Sequence, residues 1–281
     1  MKTYPALLRI LPALLLLATF QLKAQDEERP IWEQEAMLIY HGQSTEFNRL
    51  RSLGKNNNRL ALYTEALDTV YGKLKVEEEE PYKVAERIFE NLISDNSSDA
   101  IGLASAYYLA RVVQSNPYEK DIAKAKMLYW DLYEKWPERF FGQMAFVKYA
   151  TLHIYDDDGS GDEVLTRIQD LEPMLNKISI SKLKQNAHRI MGEAYVAFEL
   201  DSESAFKHLK KAYDLGVPVQ SIKIEVLERL AVLGEEIGET ERALSAYDEL
   251  LLIAPNHPQA IAFAENASRL RQQLNESALS Q

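Results

Sequence analysis

Residues Ile224–His257 read IEVLERLAVLGEEIGETERALSAYDELLLIAPNH. Apolar residues return every three or four positions, the period of a helix with one buried face. Leu227, Leu230 and Ala231 fall on one face of a first helix, and Gly238 breaks it. Ala243, Tyr247, Leu250 and Leu251 make the face of a second. Pro255 closes that helix, because proline cannot donate to the helical ladder. Ala231, Ala243 and Pro255 stand 12 residues apart.

The second-helix pattern recurs upstream. Ala125, Tyr129, Leu132 and Pro137 repeat the offsets of Ala243, Tyr247, Leu250 and Pro255. Ala85, Phe89 and Leu92 keep the first three, as do Ala205, Leu209 and Ala212, with Pro218 one place late. Val164, Ile168 and Leu171 form a copy without the small residue. The starting positions 85, 125, 164, 205 and 243 step by 40, 39, 41 and 38. A fixed period of this length predicts an all-α solenoid of about five helix pairs, each burying its apolar face on its neighbours.

The unit resembles the tetratricopeptide repeat (TPR), two antiparallel helices in 34 residues, most closely over Ile224–His257 and more loosely from Pro81 to about Leu274. The longer steps place extra residues in the turns, at Ser115–Tyr118 and Tyr155–Glu163. Two-helix arrays of the HEAT type share such a period and stay open as an alternative. The expected domain order is residues 1–24 as a signal peptide, 25–58 as a leader and irregular segment with a short helix over Glu33–Tyr40, 59–274 as the repeat domain, and 275–281 as a polar tail. Within it, Pro258–Leu274 is a closing helix.

The first 24 residues follow the order of a secretory signal. Lys2 and Arg9 are basic, Ile10–Phe20 is uninterrupted apolar sequence, and Ala24 precedes a plausible cut before Gln25. A membrane span needs about 20 apolar residues, more than Arg9 and Lys23 bracket, so no span is expected after cleavage. Cleavage removes Lys2, Arg9 and Lys23 from 32 basic residues, leaving 29 against 43 acidic ones, a net charge of −14. That charge excludes broad nucleic-acid binding, which requires neutralising phosphates. There is no cysteine in the 281 residues, so disulfides, thiolate metal sites and cysteine nucleophiles are excluded. An exported chain without disulfides suits a bacterial periplasm or exterior.

Sequence motifs for chemistry are few. No phosphate-binding glycine loop, zinc-protease helix or serine-nucleophile elbow is present, and no cofactor is implied. The five histidines are scattered, none three or four residues from another. Tyr155–Glu163 reads YDDDGSGDE, which places Asp156, Asp158, Ser160 and Gly161 at positions 1, 3, 5 and 6 of an EF-hand calcium loop. Position 12 is Arg167, where that loop uses a bidentate glutamate, so any calcium site is weak. The alternative is a polar turn with Asp162 capping the next helix.

The TPR resemblance implies a non-catalytic scaffold for a protein or peptide, in an envelope or secretion assembly, with a groove lined by the first helix of each pair. Carried over by position, the groove comprises Arg139, Phe146 and Tyr149, then Asn186, Arg189 and Glu193, then Glu225, Glu228, Val232 and Glu235. Glu193 stands where a carboxylate-clamping asparagine would be required. The acidic end of this groove, with Glu225, Glu228 and Glu235 on one stripe, implies a basic partner segment. An enzyme or carbohydrate-processing protein with its site on an α/α array is the alternative.

Overall fold

The computed structural model describes residues 30–41, 58–71, 80–155 and 160–279, and the signal-like segment lies outside them. Every regular element among the described residues is helical, as the periodicity predicts. No helix among them is long and apolar enough to cross a membrane. The chain divides into two compact units. The first holds α1 (Ile31–His41), α2 (Asn58–Tyr71), α3 (Pro81–Asp95), α4 (Ala100–Ser115) and residues 139–141. The second holds α5 (Ile122–Lys135), α6 (Phe140–Ile154) from Gly142 onward, and α7 (Gly161–Leu171), which runs into a 3-10 helix at Glu172–Lys177. It continues through α8 (Ser181–Ala197), α9 (Ser202–Asp214), α10 (Gln220–Glu236), α11 (Thr240–Ile253) and α12 (Ala260–Leu279). Chain neighbours pack on one another, α2 on α3 and α3 on α4 in the first unit, and α8 through α12 in succession in the second. This nearest-neighbour packing is that of a helical solenoid.

The repeated second-helix signature is the buried face of each helix that carries it. In α3 the buried residues are Ala85, Phe89 and Leu92, and in α7 they are Val164, Ile168 and Leu171. The signature residues Ala125, Tyr129 and Leu132 of α5 are buried, as are Ala205, Leu209 and Ala212 of α9 and Ala243, Tyr247 and Leu250 of α11. Asp99, Asp121 and Asp201 cap α4, α5 and α9 by accepting a backbone N–H three residues on, which satisfies donors the helix leaves unpaired. Pro81 opens α3, and Gly216 and Gly238 take positive φ (92° and 80°) after α9 and α10.

A second repeat of 40 residues lies in the glycines. Gly102 and Gly142 are each the third residue of their helix. A Cβ at Gly102 would lie 1.9 Å from the Asn96 carbonyl oxygen, and one at Gly142 would lie 1.9 Å from that of Trp136. Asn96 and Trp136 are the C-caps of α3 and α5. In both turns the incoming helix presses against the end of the outgoing one, at a separation only a residue without a side chain allows.

Four sequence expectations require correction. The leader holds the short helix expected over Glu33–Tyr40, as α1, but it is a packed element and not part of a loose leader: Glu35 is 1% exposed, accepts from the Phe140 backbone N–H at 2.9 Å and pairs with Arg139. The Tyr63 hydroxyl donates to the Leu38 carbonyl of α1, beside an aromatic cluster of Tyr63, Phe89, Tyr107 and Tyr108. At the other end α12 runs to Leu279, not Leu274; Asn275, Glu276 and Ser277 are polar, but no proline or glycine stops the helix. The extra residues of the third step go partly into the 3-10 helix as well as a turn. Finally, Ser160 caps α7, with Glu163 completing a capping box, so Asp162 is not the cap.

Candidate functional site

The packing of α8 on α9 gathers groups that are distant in sequence. On α8, Lys184 and His188 are four residues apart and share a face. On α9, Lys207 and Lys211 do the same, with His208 beside them. The ring nitrogens His188 Nδ1 and His208 Nδ1 lie 3.2 Å apart. His208 Nε2 lies 3.0 Å from Glu172 Oε1, presented by the 3-10 helix, and the Tyr195 hydroxyl donates to the same oxygen at 3.3 Å. A carboxylate only accepts, so the proton sits on His208 Nε2 and His208 Nδ1 accepts in turn. His188 Nδ1–H is then the donor, and His188 Nε2 keeps a lone pair. Two charged rings would bring two N–H groups together at the Nδ1 contact, so the pair holds at most one extra proton without breaking.

All of these groups but Tyr195 line an open cleft of about 1010 Å³, with Asp201, Ser204, Phe206, Glu239 and Arg242 among its other walls. Burial, aided by His208 and by Lys184, Lys211 and Lys207, pushes the His188 imidazole down to about 4. Burial also lowers His208, with the Glu172 bond opposing it. Tyr195 is pushed up to about 12 by burial and by Glu172. A lowered His188 has a consequence for stability. As pH falls below about 6.5 the unfolded chain takes up a proton that the folded chain refuses until about 4, so stability is full above that window and is lost through it. We expect about 1 kcal/mol to be lost between pH 7 and pH 5, after discounting for the ring's partial exposure. Urea unfolding of wild type and His188→Gln at both pH values checks this. The variant's stability should depend less on pH, and an identical dependence would remove His188 as the cause.

The positions carried over as a groove have varied fates. Phe146 is fully buried in the core of the second unit, so it cannot offer its ring to a partner. Arg139 pairs with Glu35 and also donates to the Ser98 carbonyl, so it is a structural residue of the first unit. Tyr149 is half-buried, stacked on His153 and tilted against Trp130 at 4.9 Å between centroids. Asn186 and Arg189 do come together, Arg189 donating to Asn186 at 3.0 Å, while burial raises the Tyr155 phenol, with Glu193 adding to the rise and Arg189 opposing it.

One carboxylate of the acidic stripe on α10 is neutralised within the chain. Glu235 pairs with Arg269 of α12 and accepts from the Tyr247 hydroxyl at 2.8 Å. Glu228 lies 3.5 Å from His257. Glu225 and Val232 are exposed. The closing helix therefore supplies one counter-charge, to Glu235, and among the described residues neither Glu225 nor Glu228 pairs with a lysine or arginine. Asp156 and Asp158 of the calcium-loop candidate lie outside the described residues, and Ser160 serves as a helix cap. Among the described residues no cluster of three or more acidic or histidine side chains is arranged to hold a metal.

Sequence reading missed Glu172, His188 and His208. The two histidines are 20 residues apart and Glu172 is 36 from His208, so only the pairing of α8 with α9 joins them. The paired spacings 184/188 and 207/211, read against the α9 register set by Ala205, were the available signal.

No family model matches the chain, and no curated protein does. Among solved structures, a thermophilic TPR protein from Thermus thermophilus is similar at 20% identity, over 79% of this chain and 98% of that one, with a TM-score of 0.39.

Proposed function

We propose that the chain is a non-catalytic, TPR-like scaffold that binds a protein or peptide outside the cytoplasm, within an envelope or secretion assembly. One observation supports the binding role. The apolar signature of each second helix is consumed in packing, while α8 and α9 leave polar and charged groups around an open cleft. Arrays of this construction present surfaces rather than enclosed reaction chambers. Export rests on the tripartite N-terminal sequence alone.

The test has two parts on the natively produced protein. Intact mass should show a chain beginning near Gln25. A photo-crosslinker at the exposed Lys207 should trap one discrete partner, whose purified form then binds saturably. A cytoplasmic chain still starting at Met1 would end the export reading, and absence of any saturable partner would end the scaffold reading.

The enzyme alternative has one observation in its favour, the Glu172–His208–His188 chain that leaves a ring nitrogen of His188 as a base. It requires a turnover that His188→Gln abolishes while the fold persists.

A further inference from the structure

We propose that His188 and His208 form a two-histidine site for a divalent transition-metal ion of the zinc class, joining α8 to α9 in the wall of the cleft. This goes beyond the scaffold reading and does not depend on it.

The spacing of the two rings carries the proposal. Two imidazole nitrogens bound at about 2.05 Å to one tetrahedral ion stand about 3.3 Å apart, with ring centres about 5.2 Å apart. His188 Nδ1 and His208 Nδ1 are 3.2 Å apart, and the ring centroids are 5.2 Å apart. The nitrogens are therefore set at the bite of such an ion before it binds. The helix crossing holds that spacing. Gly192, one turn beyond His188, brings α8 against α9: a Cβ there would lie 2.7 Å from Leu209 Cγ.

The surroundings of His208 are those of a metal ligand. The ring is buried, stacked on Tyr195 at 5.7 Å between centroids and bonded through Nε2 to Glu172. A metal-bound histidine almost always donates its other ring N–H to a carboxylate, carbonyl or water, which fixes its tautomer and orientation. Glu172 does this for His208 and leaves the Nδ1 lone pair facing His188. On binding, the Nδ1 proton of His188 moves through water to Nε2, so two lone pairs face the ion and the pair gives up no net proton.

Charge and solvent access suit an open site of modest affinity. Five acidic and five basic side chains line the cleft, so its formal charge is zero and does not exclude a cation. Locally, Lys184, Lys211 and Lys207 act against positive charge on His188, while Glu172 favours it on His208. Two protein ligands are fewer than the four of a closed structural site, and water from the cleft fills the remaining positions. Imidazole donors suit zinc, copper and nickel, whereas magnesium and calcium prefer oxygen.

The experiment is calorimetric titration of the purified, untagged chain with Zn²⁺, with Mg²⁺ and Ca²⁺ as comparison ions. Zn²⁺ should bind saturably and raise the thermal unfolding midpoint, because it binds the folded state; the comparison ions should do neither. His188→Gln and His208→Gln should each weaken Zn²⁺ binding at least tenfold, and Glu172→Ala, which removes only the carboxylate behind His208, by about tenfold. His257→Gln, in the turn between α11 and α12, should not change it. Circular dichroism verifies each fold. The histidine ring signals of wild type in NMR give a reading that needs no variant, and Zn²⁺ should shift those of His188 and His208 first.

No saturable Zn²⁺ binding, undiminished binding in a folded His188→Gln, Ca²⁺ binding as tight as that of Zn²⁺, or ring shifts confined to the other histidines would each overturn the proposal. None of these outcomes bears on the scaffold reading, which keeps its own test.

Discussion

Ala243→Glu is expected to unfold the last helix pairs. Ala243 is fully buried where α10 crosses α11. A Cβ built on Gly234 would lie 3.2 Å from the Ala243 Cβ and 3.3 Å from its backbone nitrogen. The helices are in contact through their two smallest side chains, and there is no volume for a carboxylate or partner for its charge. Burying an unpaired charge costs several kcal/mol, comparable with the roughly 5–15 kcal/mol that holds a domain together. Urea unfolding followed by circular dichroism should show the helical signal of the C-terminal pairs lost at a much lower concentration, or missing before denaturant is added. Ala243→Gly, which adds no volume, should cost only about 1 kcal/mol. An unfolding midpoint unchanged in Ala243→Glu would mean that the helix register is misassigned.

Gly142→Ala should destabilise by about 3 kcal/mol, the upper range for overpacking a site that cannot relax. On a solvent-exposed helical position the same change stabilises by up to about 1 kcal/mol, so the expected sign is reversed. The obstacle is the Trp136 carbonyl oxygen, 1.9 Å from the added methyl. Being backbone, it can yield only if α6 moves off the end of α5. Gly102→Ala should behave alike through Asn96. Gly161→Ala is the control: its nearest neighbour would be the end of the Leu200 side chain at 3.4 Å, an ordinary contact. Thermal unfolding of the three variants distinguishes them, and a neutral Gly142→Ala would show that the turn between α5 and α6 opens at little cost.

The fold was more legible than the site, and particular residues show why. Ala85, Phe89 and Leu92 predict a buried face because helical periodicity is a property of neighbouring positions. Their copies 40, 79, 120 and 158 residues later are buried in turn. Glu35 could not be read this way. Its partners Arg139 and Phe140 lie over 100 residues away, so the short helix of the leader was legible but its packing in the first unit was not. The acidic stripe was legible only in part, for a related reason. Glu225, Glu228 and Glu235 do share one helix, but the charge of Glu235 is answered by Arg269 and Glu228 lies against the His257 ring, neither of which local spacing connects to them. The histidine pair is the extreme case, since neither ring has meaning until α8 lies against α9.

The two faces of α12 bear on self-assembly. Phe263, Ala267 and Leu270 make a narrow inward stripe, while Glu265, Ser268, Arg269, Arg271, Gln272 and Gln273 are exposed. Arg271 reaches back to Asp248 of α11, so the helix is tied down as well as packed. A stacked array whose last apolar face is open can take on another copy of itself, and each addition offers the same face again until a fibre forms. The outward face of α12 is mostly charged and polar, so it offers a second copy only separate apolar side chains, Ile261 and Leu279, in place of a continuous apolar stripe.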